Sequence, residues 1–500
     1  MTILSRRLPI FLGLLLWGTL SNPCLAEGIM SEGLADLPLP ELQRRAQEED
    51  AQAEDELGYR YQRGCGVPQD NRIALKWLVK AANQGLATAQ YRLGNIYQQG
   101  LGVRKSPKEA ICWFRKSAEQ GNVNAQLALG RTYENGQGVI KDLTMAHYWY
   151  ENAAKQGDAA AQFSLGLFYV EGLGVPQEPE AAAKWILQAA QQGLPEAQYV
   201  LGIFYDKGTG IPQNCQQAAE WFRKAAEQQH AIAQFHLGCQ YYWGSGVPKD
   251  ATMAAKWIQQ AAQQGFSEAQ YVLGMFYEDG TGVPENVQQA AEWYTKAAMQ
   301  GHADAQEELG SLYLKGRGVP QDYALAMKWL HQAAEKDLAL SQYFLGMLYK
   351  RGLGVAPDIA LASQWFTKAA EQGQAGAQRE LGLLYLNGLA GKPQDDLVAA
   401  KWLLLSAEQG DFIAQDQVGG LYLLGRGVAM NSSAAAAWYS KSAESGWGPA
   451  QYQLGVLYER GIGVERDEQL AVQWYSKAQA QGIKKAKQCL EKLNNRSKQR

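Results

Sequence analysis

A leucine–glycine pair returns every 36 residues, and that interval dictates an array of like units rather than a single globule. It runs through Leu57, Leu93, Leu129, Leu165, Leu201, Leu237, Leu273, Leu309, Leu345 and Leu381. After one extra residue at Gly388-Leu389-Ala390-Gly391 it finishes with Val418 and Leu454. A tyrosine stands four residues after each of these twelve positions, from Tyr61 to Tyr458. A tryptophan series, from Trp77 and Trp113 to Trp438 and Trp474, counts the same twelve units independently.

Each unit reads as two helices. In the first, Ala89, Leu93 and Tyr97 recur at a spacing of four and form an inward stripe. Gly94, costly in an isolated helix, implies a close neighbour. In the second, Ala74, Trp77, Ala81 and Ala82 give a buried helical face. Between them lies Gly-x-Gly-Val or Gly-x-Gly-Ile, as in Gly100-Leu101-Gly102-Val103, whose glycines can take positive φ. Seven residues before each tryptophan a short polar residue, such as Asp70, Ser106 or Asn214, is placed to cap the second helix; Glu178 is the exception. Gln-Gly, as in Gln84-Gly85, closes most units. The pattern predicts an all-α fold, an α/α superhelical solenoid of twelve 36-residue helix-turn-helix repeats. Twenty-four repeat helices, two terminal cap helices and no sheet are expected.

The expected organisation is a signal peptide over 1–26, an N-terminal segment and cap helix over 27–50, the solenoid over 51–482, and a C-terminal cap helix with a basic tail over 483–500. Arg6 and Arg7, the apolar run Leu8–Leu20 and the small residues Cys24 and Ala26 form the order that a signal peptidase reads. This predicts export, to the periplasm or beyond, with cleavage after Ala26 and no later stretch able to span a membrane. Leu42 and Ala46, and then Ile483, Ala486, Leu490 and Leu493, supply the apolar faces of the two caps.

Lys plus Arg is 47 against 50 for Asp plus Glu, which argues against a nucleic-acid partner. The mature chain holds Cys65, Cys112, Cys215, Cys239 and Cys489 in unlike registers, so idle thiols are expected, with Cys215–Cys239 as the one pair able to meet across antiparallel helices. The five histidines, His147, His230, His236, His302 and His331, lack metal-ligand spacing. The Gly-x-Gly connectors lack the Gly-Lys-Ser/Thr ending of a phosphate loop. The recurring aspartates are accounted for as caps. No catalytic residue, cofactor or metal site is expected.

The recurring Ala-Gln-x-x-Leu-Gly-x-x-Tyr-x-x-Gly-x-Gly-Val, followed by Asp, Trp and Ala-Ala-x-Gln-Gly, closely resembles the Sel1-like repeat, a relative of the tetratricopeptide repeat, over about residues 40–482. The resemblance implies a right-handed superhelix of paired helices that serves as an adaptor or scaffold for other proteins. The cysteine-rich branch of the family is associated with β-lactamase-like activity, but this chain has no Ser-x-x-Lys, Ser-Asp-Asn or Lys-Thr-Gly and no cysteine pair in each repeat. For an exported chain the resemblance implies an interaction scaffold in the bacterial envelope or outside the cell, with a protein partner from the envelope or a host. Exported relatives of similar architecture bind secretory immunoglobulin A. A structural or glycan-associated envelope protein, or an endoplasmic-reticulum adaptor in a eukaryote, are the alternatives.

The same resemblance places a partner in a concave groove lined by first helices. Positions −2, +2, +5 and +6 from the repeat leucine point away from the Ala-Leu-Tyr stripe. Across repeats four to seven they supply Phe163, Leu167 and Val170; Tyr199, Ile203 and Asp206; Phe235, Tyr242 and Trp243; and Tyr271, Met275 and Glu278. Trp243 and Trp447 are the mature-chain tryptophans that the repeat does not require. The competing reading is that the −2 aromatics pad the space between adjacent first helices.

Overall fold

The computed structural model describes residue 34 and residues 36–390 and 393–499, with the backbone alone beyond Leu493. The signal-peptide reading lies outside the described residues. Among those described there are twenty-six helices and no strand. The chain divides into two compact units, one running through Ala233 with Ser245–Val247, the other comprising Gln234–Gly244 and Pro248 onward.

The first unit opens with α1 (Leu39–Gln47), which buries Leu42 and Ala46 against Ala53 and Leu57. Five repeats follow, from α2 (Ala51–Arg63) and α3 (Asn71–Asn83) to α10 (Pro195–Lys207) and α11 (Cys215–Glu227). The second unit holds repeats six to twelve, from α12 (Ala231–Trp243), which starts in the first unit, and α13 (Ala251–Gln263) to α24 (Gly448–Arg460) and α25 (Glu468–Ala480). It ends with α26 (Lys484–Gln499), which packs Ala486, Leu490 and Leu493 on Tyr475. Within each unit, successive helices pack on one another along the chain.

The second helices start where the polar residues stand. Eleven side chains, among them Asp70, Ser106, Asn214 and Asp467, accept backbone N–H groups of the first turn. Each such bond contributes about 1 kcal/mol. Glu178 makes no such bond, and Pro179 opens that helix instead, where its missing N–H costs nothing. The cap's own N–H donates back to the repeat tyrosine's carbonyl, as from Asp70 to Tyr61 at 2.9 Å, which closes the connector.

Glycine is demanded at two kinds of place. A Cβ on Gly274 in the Leu-Gly pair would stand 2.6 Å from the ring of Tyr294 on the facing second helix. In the connector, Gly282 has φ +68°, and a Cβ there would fall 1.9 Å from the carbonyl oxygen of Ala251. The two helices of a repeat, and one connector and the preceding second helix, thus approach to backbone distance.

The inward stripe holds at its alanine and leucine, with Ala89 and Leu93 fully buried. It differs at the tyrosine. Tyr133 is buried, whereas the other repeat tyrosines are half-buried, and the residue before each takes the core: Ile96, Phe168, Phe204, Phe276 and Leu348. At 100° per residue, +3 and +4 straddle the leucine's direction, so the stripe is wider than a spacing of four implies.

The motif and stop glutamines meet. The side-chain amide of Gln120 donates to Gln90 Oε1 at 2.8 Å, and Gln90 donates in turn to the carbonyl of Ala82 on the preceding second helix. The same glutamine pair recurs in the first unit at Gln156–Gln126, Gln192–Gln162 and Gln228–Gln198. In the second it recurs at Gln264–Gln234, Gln300–Gln270, Gln372–Gln342, Gln409–Gln378 and Gln481–Gln451. Buried amides are thereby satisfied pairwise, and within each unit such pairs tie both helices of a repeat to the repeat before, as Gln126 does through the Ala118 carbonyl and Gln270 through that of Ala262.

Candidate protein-binding surface

A first helix in a stack has neighbours on both sides, so only a narrow outward strip of it remains open. The −2 side chains fall outside that strip. Phe163, Phe235 and Tyr271 are 9%, 3% and 5% exposed, and Tyr199 is half-buried. Each can be followed to the residue at position −7 of the next repeat. Tyr199 stacks on His230 with ring centroids 5.0 Å apart, and Tyr271 stacks on His302 at 4.7 Å. Phe235 meets Phe266 edge-on at 5.4 Å, while Phe163 joins the core that Leu194 borders. These four residues are therefore corrected from exposed binding surface to the seam between first helices.

In the first unit, Leu167 and Val170 also lean on that core and are half-buried, as is Ile203. Asp206 is half-buried, and burial pushes its carboxyl up from the ordinary carboxylate range. In the second unit, Met275 is half-buried. Glu278 is engaged: it accepts the Tyr294 hydroxyl at 2.8 Å and pairs with Arg317 at 2.9 Å.

Trp243 is the residue the stack leaves open, at 51% exposure. Position +6, at the last turn of the first helix, is polar in most repeats; α12 places an indole there. Tyr242 supports it edge-to-face, with centroids 4.8 Å apart and planes at 80°. Tyr242 is held in turn by Phe276, 5.4 Å away at 30°, on α14 (Ser267–Asp279). The Lys249 ammonium lies 6.0 Å over the Tyr242 ring. An exposed aromatic fixed from behind by a second aromatic is a contact surface with little rotamer entropy left to lose.

Two features were not read from the sequence. One is the −7 position, whose mixture of Asp, Asn, Gln, His, Leu, Phe and Trp takes on meaning only when paired with −2 of the preceding repeat. The other is Glu308 on α16 (Ala303–Lys315), whose carboxyl burial and the nearby Glu278 and Glu307 push up to about 7. The periodic tryptophans form no open apolar row: lysines lie across most of their rings, as Lys296 does over Trp293 at 3.7 Å, and Trp149, Trp185, Trp257 and Trp402 are buried or half-buried.

Among the described residues, no group of three or more His, Cys, Asp or Glu side chains is placed to hold a metal ion. Cys215 and Cys239 form no disulfide, and burial pushes the Cys239 thiol up to about 12. No described helix is long and apolar enough to cross a membrane.

Twelve segments, from 51–86 to 448–483, match the Sel1 repeat family. A protective antigen of uropathogenic Escherichia coli strains, with an SLR fold, superposes with a TM-score of 0.78 at 34% identity, covering 92% of this chain and 97% of its own. A Sel1 repeat protein from Oxalobacter formigenes gives 0.52 at 35% identity, over 63% of this chain and 92% of its own. No curated protein matches the sequence. With every repeat matched and a relative at 34% identity spanning nearly the whole length, the chain belongs to the Sel1 repeat family, whose solenoids generally serve as protein-interaction scaffolds.

Proposed function

We propose that this chain is a non-enzymatic exported scaffold that binds a protein partner on its first-helix face, at Tyr242 and Trp243 of the second unit. The observation that carries the reading is the exposed indole of Trp243 braced by Tyr242, at a register most repeats keep polar. Met275 extends the same face on the next first helix. The similar Escherichia coli protein is a protective antigen, which supports a chain exported to the envelope or the host side, with an envelope protein or a host protein such as secretory immunoglobulin A as partner.

The test starts with a pull-down by the mature chain from envelope extract and from host secretions. Tyr242→Ala with Trp243→Ala is expected to weaken a recovered partner by at least ~2 kcal/mol while helicity is unchanged. Unchanged affinity for that partner would remove this face from the proposal. N-terminal sequencing of the native protein should begin at Glu27; a start at Met1 would refute export by cleavage.

A further inference from the structure

Position −7 is where each first helix begins, and in several repeats it is filled by a side chain that accepts the free amide three residues on. Asn122, Asp158 and Asp411 do so at 2.8–2.9 Å, and Gln374 does so as well. His230 and His302 occupy the same register. His230 Nδ1 accepts from the Ala233 N–H at 3.2 Å, and His302 Nδ1 accepts from the Ala305 N–H at 3.3 Å. Their ring planes are fixed by the tyrosine stacks, at 24° to Tyr199 and 25° to Tyr271.

An imidazole can accept at Nδ1 only while that nitrogen carries no proton. Protonation would set an N–H against an N–H and add positive charge at the positive end of a helix. We propose that His230 and His302 are acid-labile helix caps, which hold the first turns of α12 and α16 when neutral and release them when protonated.

The charged surroundings of the two rings compete with this chemistry without reversing it. Glu196 on α10 faces His230 and favours the imidazolium. Around His302, Asp304 and Glu268 favour it and Lys336 opposes it. Burial is the largest influence on both rings and pushes both below the ordinary histidine value. A cationic ring over tyrosine would recover a little attraction, less than burial removes. A folded value below the unfolded one means that the stabilisation is complete above the unfolded value and is lost as pH falls below it. The helix that carries Tyr242 and Trp243 is therefore one of the two whose first turn responds to mild acid.

The test compares the full mature chain with His230→Asn/His302→Asn, since asparagine already caps this register at Asn122. Amide exchange at 231–234 and 303–306 is measured at pH 8 and pH 5 and corrected for intrinsic chemistry. In the wild type, opening is expected to rise by about threefold or more at pH 5, because burial holds both rings below the ordinary histidine value only while the turn is closed. The double variant should stay flat, as should residues 123–126 in both proteins. Equal pH dependence of wild type and variant in these segments would overturn the proposal. So would imidazole NMR titrations placing both histidines at or above their ordinary value, a measurement that needs no variant.

Discussion

In repeat seven, built from α14 and α15 (Val287–Met299), the stop residue Gln300 donates to Gln270 at 2.7 Å, and Tyr271 stacks on His302 across the seam. In repeat eleven, built from α22 (Phe412–Leu424) and α23 (Ser432–Glu444), the corresponding residues are Ser445, Gln415, Asp416 and Trp447. Serine is too short to reach, so Gln415 Oε1 is buried with no partner, and Asp416 Oδ1 is likewise buried and unpaired with Trp447 beside it. Yet the two repeats have helices of equal length and the same capping asparagine, Asn286 and Asn431. Leu or Val, Gly, Ala and Asn set the frame, and the seam residues decide how many buried polar groups the frame leaves unsatisfied.

The largest difference to test lies in the frame itself. A Cβ on Gly274 would come within 2.6 Å of the Tyr294 ring, whereas one on Gly419 would come no nearer than 3.0 Å to the Tyr439 ring. Tyr294 cannot move aside easily, because its hydroxyl is tied to Glu278. Gly274→Ala is expected to cost about 3 kcal/mol in chemical denaturation and Gly419→Ala about 1 kcal/mol less. Equal losses would mean that the frame is as loose in repeat seven as in repeat eleven.

Next comes pH. Burial pushes the Asp416 carboxyl up to about 6 from 3.8. The folded chain therefore keeps a proton that the unfolded chain has already released, and stability falls as pH rises from about 4 through about 6, then levels. Asp416→Asn, neutral throughout, should match the wild type near pH 4 and exceed it by about 1 to 3 kcal/mol at pH 8. A gain that persists unchanged at pH 4 would show that ionisation is not the cause. Tyr271, at this position in repeat seven, brings no carboxyl and adds no such dependence, and His302 stacked on it responds in the opposite sense.

How far the sequence could be read follows the same division. Leu93, Trp77 and Asp70 recur in every unit or nearly so, and recurrence reveals helices, connectors and caps; even the exception at Glu178 proved to be a helix without a side-chain cap. The seam was not legible because its meaning lies in pairs roughly 30 residues apart that vary together. Tyr271 reads as an open aromatic until His302 is seen lying on it, and Gln270 reads as one more polar motif residue until Gln300 reaches it. Of the candidate surface, Trp243 was visible because it broke the register, whereas Phe163 and Phe235 followed a −2 pattern whose direction depends on the neighbouring helix.

The smallest effect is the most direct exchange between the two repeats. Gln300→Ser copies repeat eleven into repeat seven, leaving Gln270 Oε1 buried without its donor, and should cost about 1 to 2 kcal/mol. Ser445→Gln does the reverse. The Ser445 hydroxyl now donates to the Lys441 carbonyl at 3.0 Å, an exposed bond that water replaces at little cost. The longer amide would instead reach the buried Gln415 oxygen from a helix end already shaped for it, since Gln300 and Gln481 do so from the same register at 2.7 and 2.9 Å. Satisfying one buried acceptor is worth about 1 kcal/mol once the glutamine's lost rotamer freedom is deducted, so Ser445→Gln should raise the unfolding midpoint slightly. A gain smaller than the loss in Gln300→Ser is expected, because the new glutamine must give up rotamer freedom and the Ser445–Lys441 bond to reach the acceptor. A loss in Ser445→Gln would mean that Trp447 and Asp416 fill the space the amide needs, and that the open glutamine is enforced by this seam.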